Sequence, residues 1–194
     1  MSVKQETLQL TGGAGKDKRR ELDYYPTPPA CTIALMNFLM LPKMTIWEPC
    51  CGDGTMSKVL GRYSPIVIST DIRDTGYGTG GIDFLADTTT HFASAIITNP
   101  PFDKSELIIR KALSLKTEVV AMLLKSQYWH AAKRLPLFIK HPPSWILPLT
   151  WRPDFLEHER KKGETGSPTM DVAWSVWLKD DQETKYKPLK KPIL

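Results

Sequence analysis

The stretch MTIWEPCCGDGT, residues 44–55, places a short apolar run, an acid and a glycine turn in immediate succession. The run MTIW has the length of a buried strand, and Glu48 follows it directly. Gly52 and Gly54 allow a tight turn in which the backbone can approach a ligand closely. A helix-like segment, residues 55–63, comes next. A strand that leads through a glycine turn into a helix predicts a unit of a parallel α/β sheet.

The same alternation continues along the chain. Helix-like segments are expected at residues 104–115 and 127–140, and before MTIW from Pro28 to about Leu41, with Thr27 as its N-cap. The pattern predicts a seven-stranded, mainly parallel sheet with helices on both faces. Six further strand candidates complete the set: residues 65–70, 81–85, 93–98, 118–124, 144–150 and 172–178.

Length, cysteines and hydropathy limit the class of protein. The 194 residues are enough for one domain with its own core. Cys31, Cys50 and Cys51 form no CxxC pair and the four histidines show no ligand spacing, so we expect reduced thiols and no metal. The N-terminus lacks the pattern of an export signal and no apolar stretch reaches membrane-spanning length. These features predict a cytoplasmic protein without membrane contact.

Charge is unevenly distributed along the chain. Residues 46–104 contain seven acids and four bases, a net charge of −3, whereas the whole chain carries +5. The other residues therefore carry +8. Basic clusters lie at residues 16–20, 160–162 and 185–191. This pattern suits a polyanion that meets the rim of an acidic pocket, although each single cluster is also typical of an ordinary solvated surface.

Polar residues follow several of the strand candidates. Glu48 comes after the first, Asp71 after the second, Asp83 lies inside the run 81–85, and Asn99 ends the run 93–98. Ligands of parallel sheets bind beyond the carboxyl ends of the strands, so these side chains predict a nucleoside-sized pocket. A dinucleotide site is less favoured, because its third glycine is replaced by Ser57 and Glu48 would repel a pyrophosphate.

The segment NPPF, residues 99–102, carries the most specific signal. Prolines end a strand without special explanation, but they leave Asn99 and Phe102 unexplained. In this order and context the chain resembles class I S-adenosylmethionine-dependent methyltransferases, in particular small phage and prophage N6-adenine DNA methyltransferases. The resemblance covers residues 23 to about 179 and implies a Rossmann-like fold.

The resemblance also implies site residues. The catalytic motif corresponds to Asn99, Pro100, Pro101 and Phe102, where the Asn99 side-chain oxygen and the Pro100 carbonyl would accept the hydrogens of an amine and Phe102 would stack on an extruded base. Residues that correspond to binding positions for S-adenosyl-L-methionine are Tyr25, Thr27, Glu48, Pro49, Gly52, Gly54, Asp71, Asp83 and Phe84. Asparagine at position 99 favours adenine as the target.

The expected activity is methyl transfer to adenine N6 in DNA. Adenine in RNA, a protein glutamine amide, and a nucleic-acid-binding module without catalysis stay open as alternatives. Only 92 residues follow Phe102, so we expect low or very short sequence specificity, read by the polar loop 151–170. Candidate nucleic-acid contacts in this loop are Arg152, Arg160, Lys161 and Lys162. Trp151 and Phe155 are candidates for base stacking, with packing slightly favoured.

Three segments are expected on this basis. Residues 1–22 form a mobile arm, residues 23–179 the methyltransferase domain, and residues 180–194 a basic C-terminal tail. Within the domain, Trp174 and Trp177 are expected in the core. Cys50 follows Pro49 as the nucleophile of cytosine C5 methylation does, but its place before the glycine turn favours a small packing residue.

Overall fold

A computed structural model describes residues 25–87, 92–161, 164–181 and 183–193. The predicted arm, residues 1–22, lies outside the described residues. The α-helices are α1 (Pro29–Leu39), α2 (Thr55–Leu60), α3 (Ser105–Ser114) and α4 (Leu135–Lys140). The strands are β1 (Thr45–Glu48), β2 (Ile66–Ser69), β3 (Ala95–Thr98), β4 (Val119–Lys125), β5 (Trp145–Pro148), β6 (Val172–Leu178) and β7 (Lys185–Tyr186). Short 3-10 helices occupy Ser126–Trp129, Ala132–Arg134 and Glu157–Glu159.

The strands form one seven-stranded sheet in the order β2-β1-β3-β4-β6-β5-β7. All neighbouring pairs are parallel except those of β6, which runs antiparallel to β4 and to β5. Every residue of β3 is buried because the strand lies near the centre and is covered on both faces. The predicted mainly parallel α/β sheet is confirmed.

The sheet has helices on both faces, as predicted. One core cluster joins Leu35 and Met36 of α1 and Leu60 of α2 to sheet residues such as Ile97 and Trp174. The other joins α3 and α4 to the opposite face, with Ile109, Leu137, Ile96, Val120 and Trp177 among its members. The prediction that Trp174 and Trp177 are core residues is confirmed, and the Trp174 indole also donates a hydrogen bond to the Cys31 carbonyl.

One predicted strand is wrong. Residues 81–85 form turns rather than a strand, because Gly81 has a φ of 75° and Asp83 organises the segment locally. The Asp83 carbonyl accepts hydrogen bonds from the amides of Ala86 and Asp87, and its side chain accepts one from the amide of Leu85. Local side-chain bonds of this kind compete with strand pairing.

The seventh strand comes instead from the segment 180–194. β7 pairs with β5 along the edge of the sheet, and the amides of Lys185, Lys187 and Leu189 donate to carbonyls of residues 144–148. Leu189 is buried in the core cluster of α1 and α2. Part of the basic segment is therefore attached to the sheet edge.

Helix boundaries differ from the predictions in three places. α1 has Pro28 rather than Thr27 as its N-cap and ends before Met40, which adopts the left-handed conformation with a φ of 42°. α2 stops at Leu60, three residues early. The segment 127–140, predicted as one helix, is divided into 3-10 turns and α4, with Pro136 in the first turn of α4. Every helix that the structure describes is too short or too polar to cross a membrane.

Candidate active site

A cavity of about 230 Å³ lies at the carboxyl ends of β1, β2 and β3. This is the edge at which parallel sheets bind ligands. Most of the predicted site residues meet there. The cavity is lined by Tyr25, Pro26, Thr27, Glu48, Pro49, Cys50, Cys51, Asp53, Thr55, Met56, Asp71, Ile72, Arg73, Ile82, Asp83, Leu85, Asn99, Pro100, Pro101, Phe102, Asp103, Lys104 and Ile108.

The glycine turn shapes one wall of this cavity without lining it. Gly52 and Gly54 have φ values of 52° and 78°, which side-chain-bearing residues adopt only with strain. The ring of Tyr77 packs against Gly54 where a Cβ would otherwise stand. The turn thus needs glycine at position 54 for two reasons, the backbone angle and the aromatic ring beside it.

Glu48 is buried at the end of β1, with 2% of its surface exposed. The Ser57 hydroxyl donates a hydrogen bond to its Oε2, and the hydroxyl oxygens of Ser57 and Ser69 are 2.6 Å apart. Burial raises the pKa of the Glu48 carboxyl well above 4.5, and the nearby charges of Asp71 and Asp53 raise it further. A cationic group in the cavity would stabilise the ionised form.

We expect Glu48 to make the protein less stable as the pH rises. The unfolded chain ionises Glu48 above about pH 4.5 while the folded chain keeps it protonated to higher pH, so ionisation favours unfolding between these two pKa values. In that interval the free energy of unfolding of the wild type should fall relative to Glu48→Gln, by up to roughly 1.4 kcal/mol per pH unit. Urea denaturation of both proteins from pH 4 to 9 measures this difference, and a constant or rising difference would contradict the assignment.

Asp71 holds the glycine turn and an arginine. Its Oδ2 accepts a hydrogen bond from the Gly52 amide at 2.9 Å. Arg73 donates to both carboxylate oxygens, with Nε 3.1 Å from Oδ1 and one terminal nitrogen 3.3 Å from Oδ2, and its backbone amide also reaches Oδ1 at 2.9 Å. A carboxylate accepts about four hydrogen bonds, so ligand hydroxyls at Asp71 would take the place of the Arg73 side chain.

Beside Asp71 the cavity has an apolar part. Ile72, Ile82 and Leu85 line it together with the carboxylate of Asp83. Aliphatic side chains beside a carboxylate could contact the faces of a flat heterocycle, and the carboxylate could accept a hydrogen bond from its amino substituent. Phe84, predicted as a binding residue, lies outside the lining, because it is buried with its ring edge-on to Trp47 at a centroid distance of 5.0 Å.

The four residues of NPPF also line the cavity. The Asn99 side-chain nitrogen donates a hydrogen bond of 3.0 Å to the Thr27 hydroxyl. The ring of Phe102 stacks with Tyr25 at a centroid distance of 6.5 Å, and the Lys125 ammonium lies 4.0 Å from the Phe102 centroid. Residues that precede α1 and a residue at the end of β4 thus contact this motif, which itself follows β3.

The adjacent cysteines are not poised as nucleophiles. Burial, together with the neighbouring carboxylates Asp71 and Glu48, raises the pKa values of the Cys50 and Cys51 thiols to about 12. Such thiols stay protonated at neutral pH, whereas attack requires the thiolate. The described residues contain no group of three or more histidine, cysteine, aspartate or glutamate side chains that could hold a metal ion.

The predicted nucleic-acid contacts lie in different environments. Arg160 has only 6% of its side chain exposed, because it is paired with Asp154 and covers Gly166. The exposed Arg152 pairs with Asp171 at 2.8 Å. Lys161 is exposed, and Lys162 lies outside the described residues. Phe155 is buried and Trp151 packs against the core, so the packing interpretation of both aromatics holds.

Sequence reasoning missed several residues of the cavity. Ile72, which follows the strand-end acid, could have been found as an apolar side chain next to Asp71. Arg73 lines the cavity, and Lys125 contacts the ring of Phe102 without lining it. Neither gave a signal of its own, because Asp71 and Phe102 are brought to them by loop geometry and by strand order.

Comparisons with known proteins concern the fold. No family model matches the sequence, and no curated protein matches it. Among solved structures, the methyltransferase subunit of a type I restriction-modification system from Streptococcus thermophilus superposes with a TM-score of 0.64 at 11% identity; 84% of this chain covers 47% of that one.

Two further structures are described as RNA- or adenosine-modifying enzymes. A proposed RNA methyltransferase from Pyrococcus horikoshii has a TM-score of 0.62 at 15% identity, with 91% and 97% of the two chains covered. A dimethyladenosine transferase from Plasmodium falciparum has a TM-score of 0.57 at 13% identity, with 80% and 63% covered. The TM-scores show a shared fold, and the low identities leave the reaction of this chain to its own residues.

Proposed function

We propose that this chain, which has the Rossmann-like fold of class I S-adenosylmethionine-dependent methyltransferases, transfers a methyl group to the exocyclic N6 amine of adenine in DNA. The observation that carries the proposal is that Asn99 and Pro100, which can offer a side-chain oxygen and a carbonyl as acceptors, line one cavity together with several acids and aliphatic side chains. The methyltransferase domain would be residues 23–179 together with the edge segment that contains β7.

The lining of the cavity fits S-adenosyl-L-methionine. Asp83 with Ile72, Ile82 and Leu85 would hold the adenine, and Asp71 the ribose hydroxyls once Arg73 moves aside. Asp53 provides negative charge for the cationic end of the molecule, whose own charge would favour the ionised form of Glu48. Tyr25, Thr27 and Pro49 line the same cavity. When bound, this cofactor supplies an electrophilic methyl group on a sulfonium.

The NPPF motif fits an aromatic amine as the acceptor. The lone pair of such an amine is delocalised into the ring, so the nitrogen becomes nucleophilic only when it pyramidalises. The oxygens of Asn99 and Pro100 would each accept one amine hydrogen and hold that geometry, which the diproline keeps rigid. Held in this way, the amine nitrogen would be the nucleophile for the methyl group that the cofactor supplies, and it would release one proton to water.

Phe102 would contact the target base. Since adenine N6 is out of reach inside a duplex, the base must be extruded, and an aromatic ring at the cavity offers a stacking partner. Tyr25 and Lys125 flank the Phe102 ring and limit its movement. The protonated thiols of Cys50 and Cys51 support direct transfer without a covalent enzyme intermediate.

The choice of polymer rests on charge, and two of the structural neighbours favour an alternative. The excess of +8 outside residues 46–104 suits a nucleic acid better than a protein amide. DNA is favoured by the likeness of NPPF to DNA-modifying enzymes. Adenine in RNA is the second candidate, because solved structures described as RNA- and adenosine-modifying enzymes share the fold. Low sequence specificity is proposed for either polymer, with Arg152 and Lys161 of the loop 151–170 as exposed phosphate contacts.

A labelling experiment tests the choice of polymer. The protein is incubated with S-adenosylmethionine tritiated on its methyl group and, separately, with unmethylated DNA, total RNA or a protein extract. Label in the DNA fraction alone is the expected result. Label in RNA or protein would transfer the proposal to that substrate, and calorimetric binding of the cofactor without label in any fraction would favour a binding module that lacks catalysis.

A further inference from the structure

The hydrogen bond between Thr27 and Asn99 assigns a second role to the segment before α1. We propose, on the basis of the proposed function above, that Thr27 is a positioning residue that holds the Asn99 carboxamide in the observed arrangement, in which its oxygen is left to face the substrate amine. This role differs from contact with the cofactor, which is what the sequence resemblance alone implies for Thr27.

The orientation of Asn99 matters because a carboxamide has two unlike ends. Its oxygen accepts hydrogen bonds and its nitrogen only donates them. If the group rotated by 180°, the amine of the substrate would face another donor, and one of the two acceptors that the reaction needs would be lost. With Nδ2 bonded to Thr27 Oγ1 at 3.0 Å, the planar carboxamide directs Oδ1 away from Thr27.

The Thr27 hydroxyl is well placed to anchor the carboxamide in the observed arrangement. Thr27 is 5% exposed, so water competes little for the hydrogen bond. Its backbone lies between Pro26 and Pro28, whose rings restrict their own φ angles, and Pro28 is the N-cap of α1. The position of the hydroxyl is thereby tied to a helix that packs in the core.

A second contact joins the same two segments. Tyr25, two residues before Thr27, is buried and stacks on the ring of Phe102, three residues after Asn99. The segment 25–28 therefore supports NPPF at both ends, through one hydrogen bond and one ring contact. A residue that only bound the cofactor would not require this pairing with Asn99.

The first test observes the contact without any catalytic step. The Asn99 side-chain NH₂ signals are identified by NMR through their loss in Asn99→Ala. In Thr27→Val, which keeps the shape and removes the hydroxyl, these signals should shift and exchange faster with solvent, whereas Thr27→Ser should leave them close to the wild type. Unchanged signals in Thr27→Val would overturn the proposal, and this result does not depend on whether the protein is a methyltransferase.

The second test separates positioning from cofactor contact. Because one hydrogen bond contributes modestly, Thr27→Val should lower kcat by roughly three- to tenfold while the calorimetric Kd for S-adenosylmethionine stays within about twofold. Thr27→Ser should restore kcat. A weakened Kd with unchanged kcat would overturn positioning in favour of cofactor contact, and a wild-type protein that transfers no methyl group would refute the proposed function while the NMR result stands.

Discussion

Replacing Asn99 with alanine should reduce methyl transfer by at least about a hundredfold, because one of two fixed acceptors for the amine hydrogens is removed. In the proposed arrangement the Asn99 side chain touches the substrate amine and not the cofactor, so the affinity for S-adenosylmethionine should change little. Initial rates with labelled cofactor and unmethylated DNA measure the first effect, and calorimetric titration measures the second.

The chain offers a matched control for this variant. Asn37, on the exposed surface of α1, is the only other asparagine, and Asn37→Ala should leave the rate unchanged. Asn99→Asp keeps oxygen acceptors at the site and should retain part of the activity. A rate for Asn99→Ala within threefold of the wild type would mean that the carboxamide does not hold the amine.

Gly54→Ala should destabilise the protein and weaken cofactor binding together. The added Cβ would stand 2.3 Å from carbon atoms of the Tyr77 ring, far inside van der Waals contact, and the φ of 78° is unfavourable for alanine. Overlap of this kind costs about 1–3 kcal/mol and the left-handed backbone about 1–2 kcal/mol. Since the turn leads from β1 to α2, its displacement also moves the cavity wall.

Gly76 separates the two causes. Its φ of 77° matches that of Gly54, but a Cβ there would meet no atom within 4 Å. Gly76→Ala should therefore show only the backbone cost, and the difference between the two variants in urea denaturation measures the overlap with Tyr77. Equal free energies of unfolding would show that the Tyr77 ring moves aside without cost. An unchanged Kd for S-adenosylmethionine in Gly54→Ala would show that the turn does not shape the cofactor site.

The architecture was predictable where hydrophobic runs are uniform. β3 and β4 are buried on both faces, and continuous apolar runs such as residues 118–124 can form such strands without alternation. The prediction of a strand at residues 81–85 was wrong. The apolar side chains of this run belong to a turn and to a cavity wall, and composition alone does not distinguish such a run from a strand. β7 was missed because only Lys185 and Tyr186 form it, and an edge strand needs few apolar residues.

The site was predictable where chemistry follows a strand end. Glu48 is the last residue of β1, while Asp71 and Asn99 follow the neighbouring strands β2 and β3, and topology alone brings the three to one edge. The pairing of Arg160 with Asp154 was not predictable, since it depends on the path of a loop. The Arg160 side chain consequently stabilises the fold, although it belongs to a basic cluster that was expected on the surface.

The position of the transferred methyl group tests the central claim most directly. Unmethylated DNA is incubated with the protein and S-adenosylmethionine labelled with ¹³C in its methyl group, then digested to nucleosides and resolved by mass spectrometry against standards. The account predicts the label in N6-methyl-2′-deoxyadenosine. Label in 5-methyl-2′-deoxycytidine would contradict it, because that reaction needs the thiolate that the buried cysteines do not provide.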